Sequence, residues 1–165
     1  MIARRHMLFH GAASFALMAS GLFTRHALAA VASETFEVRY TDEQWRKRLT
    51  QQQYDVLRKE GTERPGSSPL NKEHRAGTFA CAGCALPLFS SKTKFESGTG
   101  WPSFWKPLDN TVATRQDRSF GTVRTEVHCR RCGGHLGHVF EDGPKPTGLR
   151  YCMNGLSLSF APQAA

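Results

Sequence analysis

The cysteines and two closely spaced histidines carry most of the chemistry this chain could perform. Cys81-Ala-Gly-Cys84 and Cys129-Arg-Arg-Cys132 each bring two thiols onto one tight turn. Two such turns facing each other supply the four tetrahedral sulfur ligands that Zn²⁺ prefers. The 44 residues between the pairs exceed the loop of a compact finger, so a metal here would clamp a whole domain together. Two disulfides are the alternative for an exported chain. Short C-x-x-C bridges are more often redox-active than structural, which favours the metal.

With those four assigned, the fifth cysteine, Cys152, stands alone. A lone Cys is commonly a small buried hydrophobe, but its neighbours argue for reactivity. On an extended strand with a side-chain period of two, Arg150, Cys152 and Asn154 share one face. The cation can favour a thiolate, and the amide can hydrogen-bond a polar reacting group or a histidine. His135 and His138 follow the second cysteine turn in Gly133-Gly-His-Leu-Gly-His138. Anchored to that turn, they are placed for proton transfer near neutral pH. One of them could instead ligate the metal, but four cysteines already complete a shell.

The elements that must hold these groups are legible in outline. Thr41-Asp-Glu-Gln44 and Thr50-Gln-Gln-Gln53 have the capping-box pattern, predicting short helices over 42–48 and 51–60, the second closed by Gly61 in a left-handed turn. Residues 61–76 read as irregular chain. Short strands are expected over 78–81, 86–89, 122–127, 138–140, 149–154 and 156–160, punctuated by Gly and Pro. The fold class is therefore mainly β and antiparallel, with short N-terminal helices.

At 165 residues and 39% hydrophobic content the chain fits a single domain with one modest core. Residues 1–29 differ in character. Arg4 and Arg5 precede an apolar stretch too short to span a bilayer, no acid is present, and Ala27-Leu28-Ala29 offers a signal-peptidase site. This reads as a twin-arginine-like export signal, with a periplasmic destination expected. An ordinary secretory signal is the alternative. Without Arg4, Arg5 and Arg25 the charge falls from +8 to +5, scattered with no basic block, which argues against a nucleic-acid footprint.

Longer motifs add a resemblance. Gly98-Thr-Gly-Trp-Pro-Ser-Phe104, Arg124-Thr-Glu-Val127, the run from Cys129 to Phe140, Asp142-Gly-Pro144 and Thr147-Gly-Leu-Arg-Tyr-Cys-Met-Asn154 are similar to those of the B-type methionine sulfoxide reductases. The resemblance covers residues 36–161 and implies two antiparallel β-sheets, one structural zinc, and reduction of the R epimer of methionine sulfoxide. It places the nucleophile on Cys152, catalytic partners on His135, His138 and Asn154, and the zinc ligands on Cys81, Cys84, Cys129 and Cys132. Trp101 would receive the substrate methyl group, with Phe104 and Arg150 as further substrate-binding candidates. Oxidised proteins or peptides are the implied substrates, with a thioredoxin-like protein or small thiol as reductant. A monomer that binds no nucleic acid is expected.

The chain departs from many relatives at Thr99, where they carry a resolving cysteine in Ser-Gly-Cys-Gly-Trp. A cycle with one redox cysteine is therefore expected, its sulfenic acid reduced by an external thiol. The alternative function is a zinc-ribbon module contacting nucleic acid through Arg130 and Arg131. That reading gives no reason for Cys152 or for an export signal.

Overall fold

The computed structural model describes residues 35–164, so the export signal expected over 1–29 lies outside the described residues. Helices α1 (Asp42–Arg48) and α2 (Gln51–Lys59) begin at Thr41 and Thr50, and both capping boxes are formed. In each, the threonine hydroxyl accepts from the N3 backbone N–H while the N3 glutamine side chain accepts from the cap N–H. Such a cap stabilises a short helix by about 1 kcal/mol, a large share of what so few residues need. The helices bury Trp45, Tyr54, Val56 and Leu57. Among the described residues, no helix is long and apolar enough to cross a membrane.

The end of α2 corrects one expectation. Glu60, not Gly61, takes the left-handed conformation, with φ of 56°. Gly61 is required for a different reason: its N–H donates to Asp55 O, and a Cβ there would lie 2.8 Å from that oxygen. The following segment holds one turn of 3₁₀ helix, Pro69–Lys72, and then reaches the first strand.

Among the described residues, nine strands form two antiparallel sheets. The smaller has the order β2 (Pro87–Ser90), β1 (Gly77–Cys81), β9 (Leu158–Pro162). The larger has six strands, in the order β3 (Lys94–Phe95), β4 (Ser103–Phe104), β8 (Arg150–Met153), β7 (His135–Phe140), β6 (Arg124–Cys129) and β5 (Val112–Asp117). Three of these, β3, β4 and β5, escape the sequence reading. The first two are only two residues long and exist because β8 pairs with β4. The third is an edge strand, Val-Ala-Thr-Arg-Gln-Asp, too polar to show alternation.

The core joins the sheets. Phe79 of β1 meets Phe104 of β4 edge to face at 4.9 Å, and Phe89 of β2 stacks on Phe104 at 4.4 Å. Leu88, Val127, Leu136, Met153 and Leu57 complete a buried cluster, each buried aliphatic or aromatic side chain contributing about 1.5–3 kcal/mol. Within the large sheet, β7 and β8 approach so closely at Gly137 that a Cβ there would lie 2.1 Å from the carbonyl oxygen of Cys152. Any side chain at this position must push the strands apart. Gly137→Ala is expected to lower stability by about 2–3 kcal/mol in urea unfolding.

Candidate active site

Strand pairing sets the position of Cys152. It lies on β8 directly opposite Ser103 of β4 on one side and His138 of β7 on the other. Facing residues on neighbouring strands present side chains to the same face, so the thiol and an imidazole are side by side by construction. They line a pocket of about 120 Å³ with Thr62, Trp101, Arg124 and Phe140, and with Gly137 and Asn154 at its base. A larger cavity, about 780 Å³, lies between α2, the 3₁₀ turn Pro69–Lys72 and residues 155–159. Its lining holds no thiol and no imidazole, whereas the smaller pocket has both. Thr62 lines both.

Each histidine is oriented by a carboxylate. His138 Nε2 is 2.8 Å from Asp117 Oδ2, and His135 Nδ1 is 2.7 Å from Glu126 Oε1, the two rings meeting edge to face with centroids 5.4 Å apart. His138 lines the pocket, whereas His135 is buried behind it; its Nε2 has no partner among the described residues. Burial pulls the His138 imidazole below its ordinary value of 6.5, against the opposing pull of Asp117. Asp117 itself is held well below the usual carboxylate range, first by the Ser119 backbone N–H and hydroxyl and then by His138 and Arg124. Burial pushes the Glu126 carboxyl up, but the His135 hydrogen bond and the charges of His135 and Arg115 outweigh it, leaving it lowered. Arg115 pairs with Glu126 from β5. Asp117 does not stand out in sequence, because it reaches His138 only through the β5–β6–β7 pairing. Glu126, within the Arg124-Thr-Glu-Val127 motif, meets His135 across β6 and β7.

A second layer of contacts runs through Glu63. Its backbone N–H donates to Asn154 Oδ1 at 3.0 Å, and its carbonyl accepts from Trp101 Nε1 at 3.1 Å. The buried Glu63 carboxylate accepts from the N–H groups of Gly155 and Leu156 at 2.6 and 3.0 Å. Asn154 also donates through Nδ2 to Leu136 O at 3.2 Å. One residue therefore ties the amide, the indole and the end of β8 together. Glu63 sits in the stretch read as irregular chain, and nothing in its local sequence marks it.

Two substrate-binding candidates do not line the pocket. Phe104 is fully buried, stacked on Phe89 in the core between the sheets, and does not line the pocket. Arg150, beside Cys152, makes two bonds of 2.8 Å to Asp142 and covers the Phe140 ring at 4.4 Å. The Asp142 hydrogen bonds raise its pKa further, with the Cys152 charge adding to them. Arg150 thus holds its positive charge next to the sulfur while it anchors the loop before β8.

All five cysteines are free in the structure. The sulfurs of Cys81, Cys84, Cys129 and Cys132 lie within 4.8 Å of one another, with Cys81 and Cys132 3.7 Å apart and Cys84 and Cys129 3.5 Å apart. The turns close on themselves: Cys81 N–H donates to Leu86 O, and Cys129 N–H to Gly134 O. So close together, the sulfurs cannot all ionise without a cation among them. Hydrogen bonds to the other sulfurs push Cys81 and Cys132 up and Cys84 and Cys129 down. Four soft donors at this spacing fit one tetrahedral metal ion. Arg130 and Arg131, the candidate nucleic-acid contacts, are engaged locally, with Asn110 O and with Glu37.

A lone thiol beside a carboxylate-oriented imidazole, on a β scaffold whose other four sulfurs cluster closely enough to hold a metal ion, suits an oxidoreductase. The comparisons narrow this. Residues 49–162 match the model of the SelR domain. Peptide methionine sulfoxide reductase MsrB of Leptospira interrogans is 55% identical over 126 residues, which cover 76% of this chain and 96% of that protein. The same-named proteins of Pseudomonas putida strain W619 and Methanosarcina barkeri are each 55% identical over 124 residues, 74% of this chain and 93% and 87% of theirs. The chain belongs to the SelR-domain family.

The carboxylate partners give a pH signature. Asp117 raises the His138 pKa against burial, so Asp117→Asn should move the His138 titration midpoint from below 6.5 to a still lower pH. NMR of the imidazole carbons measures it; an upward move would contradict the pairing.

Proposed function

We propose that this chain reduces the R epimer of methionine sulfoxide, in proteins or peptides, to methionine, and so repairs oxidised proteins. The observation that carries the reading is the pairing of Cys152 with His138 across β8 and β7 inside a pocket walled by Trp101. Membership of the SelR-domain family, with relatives named as peptide methionine sulfoxide reductases, supports it.

A sulfoxide sulfur is electrophilic, but its oxygen leaves only if protonated. Burial favours the neutral form of the His138 imidazole. With Nε2–H directed at Asp117, its other ring nitrogen is free to take the Cys152 thiol proton and return it to the sulfoxide oxygen. Asp117 stabilises the transient imidazolium, as an ionised partner should. Attack by the thiolate moves the oxygen to the protein: Cys–SH and methionine sulfoxide become Cys–SOH and methionine. Two equivalents of an external thiol then restore Cys–SH, releasing water and a disulfide. An external thiol is required because position 99, beside Cys152, is a threonine and the other four sulfurs are clustered elsewhere. The indole face of Trp101 suits a methyl group, so the opposite epimer would press its oxygen against an apolar wall.

Zinc is the proposed ion for the four-sulfur site, where it would supply structural clamping and no redox step. For residues 1–29 the proposed role remains that of an export signal that delivers the enzyme to the periplasm. N-terminal mass determination of the cell-derived protein tests it, and an uncleaved cytoplasmic product would refute it.

Three measurements check the rest. With a chemical dithiol as reductant, the R epimer is consumed and the S epimer left. Cys152→Ser abolishes turnover while the protein keeps its zinc. Metal analysis finds one zinc per chain, and chelation lowers the thermal midpoint by roughly 10 °C or more.

A further inference from the structure

A file of hydroxyl groups runs from the strand beside Cys152 to the sulfur itself. Ser103 Oγ is 2.8 Å from Ser97 Oγ, Ser97 Oγ is 2.8 Å from Thr99 Oγ1, and Thr99 Oγ1 is 3.8 Å from Cys152 Sγ. At its far end Ser103 Oγ lies 3.1 Å from the carbonyl oxygen of Trp101, the residue that walls the pocket. Ser103 is fully buried and Ser97 and Thr99 are half-buried, so the file is partly shielded from solvent. The mechanism above uses none of these three side chains.

Each hydroxyl has one donor and can also accept, and its hydrogen turns without moving a heavy atom. The file can therefore run in two directions. With Cys152 as a thiol, S–H donates to Thr99, Thr99 to Ser97, Ser97 to Ser103, and Ser103 to the Trp101 carbonyl, leaving no donor unused. Once the thiol proton has passed to His138, the order reverses: Ser103 donates to Ser97, Ser97 to Thr99, and Thr99 to the thiolate. The bond released is the one to the Trp101 carbonyl. Successive hydroxyls polarise one another, so the last donor meets the anion more strongly than an isolated threonine would.

We propose that Thr99 is a catalytic residue that stabilises the Cys152 thiolate by hydrogen bonding, with Ser97 and Ser103 as positioning residues that reverse their hydrogen bonds when the sulfur ionises. This rests on the assignment of Cys152 as the attacking sulfur. It also gives position 99 a function of its own in a chain that lacks a cysteine there.

The test is the rate at which iodoacetamide alkylates Cys152 in the zinc-loaded protein at neutral pH, followed by mass spectrometry of the Cys152 peptide. Losing a hydrogen bond to a charged acceptor lowers the thiolate population about tenfold, and the greater nucleophilicity of the less stabilised anion returns part of that in rate. Thr99→Val is therefore expected to slow alkylation about three- to fivefold. Thr99→Ser, which keeps the hydroxyl, stays within about twofold of the parent. Ser97→Ala, which leaves every group in contact with the sulfur intact, slows alkylation several-fold, and kcat falls in step while KM holds. Parent-like alkylation in Thr99→Val overturns the proposal, as does a Thr99→Ser protein as slow as Thr99→Val, since that would assign the effect to the lost methyl group. Unchanged alkylation in a zinc-replete Ser97→Ala protein overturns the relay even if Thr99→Val fails to fold. Alkylation needs no sulfoxide, so its outcome is separable from the Cys152→Ser turnover test.

Discussion

The ladder that holds β8 between β4 and β7 is the constraint to which every reacting group is referred. In antiparallel pairing, a residue is fixed opposite one partner on each side, and a slip of one position turns its side chain to the other face. Cys152 faces His138 and Ser103 only in the observed register. The register is in turn locked by Gly137, where the strands meet too closely for any side chain, and by Met153, whose N–H donates to Pro102 O at 2.9 Å. The imidazole and the hydroxyl file therefore reach the sulfur from opposite neighbours, and both depend on one alignment.

That alignment is stiffened at its ends by two unlike devices. The four-sulfur cluster joins the turn after β1 to the turn between β6 and β7, tying the small sheet to the large one a few residues from His135. Glu63 does similar work at the far end of β8, where its backbone holds Asn154 and Trp101 and its carboxylate holds the turn Gly155–Ser157. A buried carboxylate is costly unless its oxygens are satisfied. Here two backbone N–H groups satisfy them, so the cost of burial is offset while the pocket wall is fixed.

Charge is arranged around the sulfur by the same economy of partners. Arg150 lies beside Cys152, but its guanidinium is held by Asp142 and lies over Phe140, so the cation is kept in place without reaching into the pocket. Two carboxylates, Asp117 and Glu126, each face one imidazole, and burial lowers the His138 pKa against the pull of Asp117. Imidazole, thiol and cation are separate side chains on two neighbouring strands, His138 on β7 and Cys152 and Arg150 on β8.

The sequence by itself determined what depends on local spacing. Capping boxes start both helices, because a cap needs only residues three apart. The two C-x-x-C turns announce a four-sulfur cluster, since each is a local bend that needs only its own glycines and its partner. Counting sulfurs isolates Cys152, and the long motifs mark His135, His138, Asn154 and Trp101. Only the tertiary structure decided the rest, because those interactions join residues far apart in the chain. Asp117 meets His138 across three strands, one of them too polar to be read. Glu63 meets Asn154 and Trp101 from a stretch with no periodicity, and Phe104 and Trp101 share a motif yet face the core and the pocket respectively. Side-chain direction on short strands is set by the neighbours they pair with, which no local pattern records.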